Sequence, residues 1–343
     1  MRRALAAFLL RRKQMKTALI SGASGQDGAY LARLLLEKGY LVYGASRDAQ
    51  SCSFANLHRL GIREQVRTIS LAVNDFRSVL QALQSTEPDE VYNLAGQSSV
   101  GLSFEQPVET LESISAAALN FLEAIRFTGR DIRFYNAGSS ECFGDTGGSR
   151  ADEETPFRPR SPSAVATASA HWIVANYREA YNLFACTGIL FNHESPLRPE
   201  RFVTGKIIAA ACRIAAGRRE KLRLGNMDIR RDWGWAPEYV EAMYMMLQQE
   251  RPQDYVIATG TSRSLEEFVA LAFEAVGLNW QDHVVSDPAL LRPADIREGC
   301  GNPERAGREL GWKARFALED TVREMIKAGR ERYAPLQPRK TPC

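Results

Sequence analysis

"KTALISGASGQDG", residues 16–28, is the stretch whose reading decides the fold. A short apolar run, residues 16–22, is too brief for a helix and reads as a strand. It ends in Gly22, Gly25 and Gly28, and "AYLARLLLEKGY" then continues with the spacing of an amphipathic helix. Glycine permits the tight turn and lets the backbone approach a pyrophosphate, whose charge then meets the N-terminus of the helix. Three glycines alone fit an ordinary strand-to-helix turn equally well. The order of first strand, loop and amphipathic helix makes dinucleotide binding the better reading, with Gln26 and Asp27 inside the loop.

Working outward, Val-, Ile- and Tyr-rich runs recur at 40–46, 66–73, 90–96, 132–138 and 184–192, with helical segments between them, including 109–127. Strands alternating with helices predict an α/β fold with a doubly wound parallel sheet of the Rossmann type. After about residue 193 the alternation loosens, and a smaller mixed α/β substrate-binding lobe is expected. The expected partition is a dinucleotide-binding domain over 16–192, with return segments near 226–262, and a lobe over 193–225 and 263–335. Residues 1–15 read as an extension outside the fold, with Met15 a candidate natural start, and 336–343 as a frayed tail. The apolar core of the extension ends in "RRK" without a small-residue cleavage site, so secretion is the lesser reading.

The 343 residues are 45% hydrophobic and 25% charged, enough for a large core. The 44 basic and 41 acidic residues leave a formal net charge of +3, and the basic ones are dispersed, so neither nucleic acid nor membrane is implied as a partner. No apolar run reaches the roughly 18 residues of a membrane span. The six cysteines (Cys52, Cys142, Cys186, Cys212, Cys300 and Cys343) have no metal-ligand spacing, and only four histidines are present. A reduced, cytoplasmic protein without a zinc site is the simplest reading.

At the end of the second strand run stands "SRD". Arg47 can pair with the 2′-phosphate of NADP, whereas Asp48 can accept from the free ribose hydroxyl of NAD. The bland alternative is two solvated loop charges; NADP is the expectation here, with NAD less favoured.

With "VYNLAGQSSVGLSFEQP", "AGSSECFG", "TPFRPRSP", "GILFNHESPLR", "LGNMDIRRDWG" and "RPADIREGCGNPERAGRELGW" added to the glycine loop, the chain resembles the GDP-mannose 4,6-dehydratases, part of the extended short-chain dehydrogenase/reductase group. The resemblance covers nearly everything after Met15. It implies a lyase that uses NADP to convert GDP-mannose to GDP-4-keto-6-deoxymannose, a precursor of deoxysugars. The hydroxyl at sugar carbon 4 is oxidised, the acidified carbon 5 proton is lost with the carbon 6 hydroxyl, and the hydride returns to carbon 6. Ser139 and Glu141 stand at the positions of the family's hydroxyl donor and of the carboxylate that works on carbon 5. Gly22 to Gly28, Arg47, Leu94, Ala95, Gly96, Gln97, Ser98, His193 and Arg198 fall where the family holds the dinucleotide. Asn192, Lys206, Leu224, Gly225, Arg231 and Arg292 fall where it contacts the GDP-sugar. The resemblance also implies a homodimer or homotetramer, with the 47–60 loop reaching a neighbour's cofactor.

One departure dominates. The family's catalytic tyrosine, and the lysine four residues on that activates it and binds the nicotinamide ribose, are here Ser163 and Thr167. Serine is not ionised near neutral pH without a base of its own, and threonine carries no charge. Gly205 in "FVTGK", Glu109 in place of a tyrosine, and "LAV" at 71–73 without the family's aspartate point to weaker ligand binding. Three readings stay open: an active or residually active dehydratase, a catalytically silent dinucleotide and GDP-sugar binding protein, and a sugar-nucleotide epimerase or 4-ketoreductase. The third also needs the missing tyrosine and accounts less well for Glu141.

Overall fold

The computed structural model describes residues 15–291 and 294–333; expectations placed on Arg292, on the extension before Met15 and on the tail lie outside the described residues. In chain order the strands are β1 (Thr17–Ser21), β2 (Leu41–Ser46), β3 (Arg67–Ser70), β4 (Glu90–Asn93), β5 (Arg133–Ser139) and β6 (Ala185–Leu190). Then come β7 (Asn192–Glu194), β8 (Leu222–Leu224), β9 (Arg230–Trp235), β10 (Tyr255–Ile257), β11 (Ser262–Ser264) and β12 (Val284–Ser286). Among the described residues, seven strands form one parallel sheet in the order β10-β6-β5-β4-β1-β2-β3. This is the doubly wound, Rossmann-type α/β architecture.

Because side chains alternate across a strand, Ala18 and Ile20 of β1 join one core with the helices Gln26–Glu37 and Ala236–Leu247. Leu19 between them joins the opposite core, with helices Phe76–Thr86, Ala117–Thr128 and Pro162–Tyr181. Both faces are covered, which is why these strands read as continuous apolar runs. From β1 the chain winds outward through β2 and β3, and from β4 it winds the other way. A crevice therefore opens at the carboxyl ends of β1 and β4, the usual ligand position in such sheets. The second lobe packs helices Val203–Ala215, Leu265–Glu274 and Leu318–Tyr333 around Leu222, Leu224 and Trp233.

Several elements differ from the sequence reading in ways that have physical reasons. The run 184–192 does not make one strand: β6 stops at Leu190, and Asn192 begins β7 in a second sheet with β9 and β11. The run 66–73 shrinks to Arg67–Ser70, an edge strand paired only with β2. The expected helix over 109–127 is interrupted: Pro107–Leu111 and Ala117–Thr128 flank a π-helical turn, Glu112–Ala116. Such turns occur often at functional sites, and this one places Ile114 on the crevice.

Candidate active site

The crevice is a cleft of about 540 Å³. Its floor begins at the glycine loop. Gly22 has φ +79°, and a Cβ there would lie 2.8 Å from the Leu94 carbonyl oxygen. A Cβ at Gly28 would lie 2.3 Å from Gly22 O, whereas one at Gly25 meets only Gly22 O, at 3.2 Å. Gly22 and Gly28 are thus required by the loop itself, while Gly25 keeps clear the space in front of the helix. Gly25 is the N-cap of helix Gln26–Glu37 and supplies no side-chain cap, leaving first-turn N–H groups to face an anion. The cradle fits a pyrophosphate.

Gln26 and Asp27 face the cleft, but their polar atoms turn to the protein. Gln26 Nε2 donates to His193 O at 3.1 Å, and its Oε1 accepts from Ser195 Oγ at 2.7 Å. His193 lies with Nε2 2.9 Å from Asp27 Oδ2 and Nδ1 2.7 Å from Phe191 O, stacked on Tyr239. Two acceptors face the two ring nitrogens, so both must donate, and the imidazole is the charged form. Burial alone would lower its pKa, but the Asp27 charge and hydrogen bond outweigh that and raise it. For Asp27, burial pushes upward, and His193 with Arg198 holds it down at about 2. Arg198 donates to Glu194 Oε2 at 2.5 Å and to His193 O. Gln26 and Asp27, through His193 and Ser195, clamp the glycine loop to β7 and the residue after it.

Leu94, Ala95, Gly96, Gln97 and Ser98 leave β4 along the next wall of the cleft. Gly96 has φ +149°, and Gln97 N donates to Ser113 Oγ of the π-helical turn at 3.2 Å. At the end of β5, Ser139 Oγ accepts from Glu141 N at 3.3 Å, capping the short turn that puts both side chains on the cleft. The Ser139 proton remains available to a ligand oxygen. Opposite, helix Pro162–Tyr181 starts with Ser161 Oγ accepting from Ala164 N at 3.1 Å and proline in its first turn. Ser163 and Thr167 follow on the cleft side, 7% and 6% exposed. Thr167 Oγ1 donates to the Ser163 carbonyl at 2.9 Å.

The remaining sequence-derived positions divide. Asn192 and Arg231 line the cleft, Arg231 held by Ile296 O at 2.8 Å and Asp295 at 3.2 Å. Lys206, Leu224 and Gly225 lie beside β8, outside the cleft lining; Lys206 Nζ donates to Arg223 O at 2.7 Å. Arg47 also stands outside that lining, just beyond β2, in a 2.5 Å ion pair with Glu109. Asp48 accepts from Gln50 N at 2.9 Å and caps its own loop. Cleft residues that sequence reasoning did not single out include Asn93, Asn136, Arg201 and Trp233. Each lies within or directly beside a motif that was read for a neighbour. Among the described residues, no helix is long and apolar enough to cross a membrane.

The family model described as GDP-mannose 4,6 dehydratase matches residues 19–325. GDP-mannose 4,6 dehydratase 1 of Arabidopsis thaliana is 46% identical over 324 residues, covering 92% of this chain and 90% of the relative. The GDP-mannose 4,6-dehydratase of Sinorhizobium fredii (strain HH103) is 45% identical over 339 residues, covering 91% and 96%. Among solved structures, dTDP-glucose 4,6-dehydratase from Bacillus anthracis str. Ames, in complex with NAD, superposes with a TM-score of 0.80 at 19% identity, covering 92% of this chain and 97% of that one, a likeness of fold. With its glycine cradle, its Ser139–Glu141 turn and these relatives, the chain belongs to the GDP-mannose 4,6-dehydratase family.

Proposed function

We propose that the protein is a GDP-mannose 4,6-dehydratase by descent, binding NADP in preference to NAD and GDP-mannose in one cleft, with its first oxidation step severely slowed. A bound nicotinamide ring supplies hydride exchange with the sugar. The protein's part is to hold the sugar and move protons. The first-turn N–H groups behind Gly25 receive the dinucleotide pyrophosphate, and Arg231, which already donates to Arg230 O, Ile296 O and Asp295, turns the rest of its guanidinium to the diphosphate of the GDP-sugar. Ser139 donates to the oxygen on carbon 4, and Glu141 takes the carbon 5 proton.

The observation that carries the impairment is the pair on helix Pro162–Tyr181. Ser163 lines the cleft with a hydroxyl that, among the described residues, no carboxylate or imidazole hydrogen-bonds, and Thr167 spends its proton on the Ser163 carbonyl. Neither side chain can accept the carbon 4 proton as a phenolate does. Without that step Glu141 meets no ketone-acidified proton. The same arrangement favours a second reading, a silent protein that binds both ligands without turnover. Incubation with GDP-mannose and NADP, followed by mass detection of water loss, separates the two, while calorimetry tests binding: GDP should compete with GDP-mannose and UDP only poorly. Equal competition by UDP would overturn the substrate assignment.

A further inference from the structure

Among the described residues the arginines that line the cleft are Arg198, Arg201 and Arg231, and the first and last have donors engaged by the protein. Arg198 bonds Glu194 and the His193 carbonyl, and Arg231 bonds Arg230 O, Ile296 O and Asp295. Arg201 differs. Its guanidinium lies over the Phe202 ring, 5.1 Å from the centroid, and among the described residues it meets neither a carboxylate nor a carbonyl. Its neighbour in the chain, Glu200, turns away to Arg213 and Tyr333. An exposed guanidinium stacked on a ring is ordinarily a solvated surface contact. The residues that follow it give this one a ligand.

The chain turns back on itself after Arg198, with Phe202 N donating to Pro199 O at 3.1 Å, and then enters helix Val203–Ala215. Phe202 is the N-cap and supplies no side-chain cap, so the first-turn N–H groups keep their partial positive charge. Thr204, the second residue of the helix, is 1% exposed and lines the cleft, and its hydroxyl is buried without a partner among the described residues. A buried donor left unpaired is costly, and such a group calls for an acceptor. Gly205 completes the arrangement. The sequence counts it as a lost contact, yet a Cβ there would lie 2.4 Å from Pro199 O and 3.0 Å from Arg198 O. Only glycine lets the turn that carries Arg201 press against the start of the helix.

We infer that Arg201 is a specificity-determining residue of the nucleotide-sugar site, binding with Thr204 the diphosphate that Arg231 reaches from β9; the inference rests on the GDP-sugar reading above. A contact that the sequence counts as lost at 205 is thus restored from 201. The placement follows from packing. Ile229, Arg231 and Trp233 all line the cleft, and Ile229 and Trp233 share a core with Ile207 and Ile208 of helix Val203–Ala215. Arg231 and the start of that helix therefore face one stretch of the cleft. The acids of the neighbouring clamp are already matched, Glu194 by Arg198 and Asp27 by His193. What remains on this wall is a guanidinium, a positive helix end and one hydroxyl proton, the complement of an anion rather than of a neutral sugar. The planar fork of arginine suits phosphoryl oxygens. The dinucleotide pyrophosphate is provided for at Gly25, which leaves the diphosphate of the sugar nucleotide for this wall.

The test titrates GDP-mannose, UDP-glucose and NADPH by calorimetry into the unaltered protein, Arg201→Gln and Thr204→Val. Arg201→Gln should weaken GDP-mannose about 5- to 20-fold, the worth of a charge-assisted pair at a partly exposed site, and Thr204→Val about 3- to 10-fold. NADPH should stay within about twofold in both. Arg201 is exposed and the Thr204 hydroxyl has no partner among the described residues, so neither variant should melt lower, which separates loss of ligand from loss of fold. GDP-mannose weakened in both variants with NADPH held supports the site; GDP-mannose unchanged in either, or NADPH weakened as much, overturns it. An unaltered protein that ignores GDP-mannose but binds UDP-glucose through Arg201 refutes the substrate assignment and supports the diphosphate site. One that binds neither nucleotide sugar overturns both.

Discussion

Restoring Ser163→Tyr together with Thr167→Lys should recover far more dehydration than either change alone. Ser163 and Thr167 are 7% and 6% exposed on the cleft wall, so the new side chains would enter the ligand's space. A phenol alone keeps its proton at neutral pH, with an ordinary pKa near 10, and a lysine alone must carry its charge into a buried position that disfavours it. Side by side, the ammonium lowers the phenol's pKa and the phenolate steadies the ammonium. A positioned general base contributes about 10²- to 10⁴-fold, or roughly 2.7–5.4 kcal/mol of barrier at 1.36 kcal/mol per decade. The single variants should each recover at most about threefold, a product of about tenfold, which leaves a coupling of at least ~1.4 kcal/mol in the double-mutant cycle. Thr167→Lys also removes the 2.9 Å bond to the Ser163 carbonyl, a stability loss of about 1 kcal/mol that thermal melts would register separately. The assay is loss of water from GDP-mannose, followed by mass under saturating NADP. Turnover by the unaltered protein at roughly 1 s⁻¹ or above, or single-variant gains that simply multiply, would refute the reasoning.

Gly25→Val should abolish NADPH binding with little change in melting temperature, because a Cβ there meets only Gly22 O at 3.2 Å; Gly28→Ala should destabilise the fold, its Cβ falling 2.3 Å from the same oxygen. Melts that fall alike for both would remove the distinction between cradle and loop. Glu109→Gln should strengthen NADPH a few-fold relative to NADH by freeing Arg47 from its 2.5 Å ion pair, and Arg47→Ala should erase any NADPH preference; an unchanged ratio in both removes Arg47 from cofactor choice. The Asp27–His193 pair should set a pH window for stability. His193 has a folded pKa raised above 6.5, so its contribution is full below about pH 6.5 and is lost as pH rises through the raised value. Asp27, lowered from 3.8 to about 2, contributes above 3.8 and loses that contribution on acidification. The melting-temperature margin of the unaltered protein over His193→Asn should therefore be widest between about pH 4 and 6.5, and a margin that grows above pH 8 would contradict the charged imidazole.

Local patterns carried the fold because β1 and β4, at the centre of the main sheet, are buried on both faces and each is followed by its own helix; Ala18, Leu19 and Ile20 need only the period of a strand to reach two separate cores. What local pattern could not carry was pairing. Nothing in "GILFN" marks Phe191 as the point where the chain leaves one sheet for another, since β7 exists only because β9 comes beside it. The site divides in the same way. Glycines and strand ends were legible, for their roles depend on the neighbouring backbone. The Arg47–Glu109 pair and the Asn93–Asn136 bond join residues far apart in the chain, and only the folded sheet brings them together.

The same division bears on the proposed impairment. The groups that hold the cleft open are not the groups to which that proposal gives the chemistry. Helix Pro162–Tyr181 is anchored at one end by the Ser161 cap and toward the other by Arg178, which meets Asp254 at 2.7 Å while Asp254 accepts from Thr187 N at 2.6 Å. The glycine loop is anchored by Gln26, Asp27, His193 and Ser195. None of these contacts runs through the side chains at 163 or 167 except the local bond from Thr167 to the Ser163 carbonyl. On the proposed reading, a phenol and an ammonium replaced by two small hydroxyls would remove a base while leaving these anchors in place, and the prediction that binding outlives turnover follows from where the anchors are.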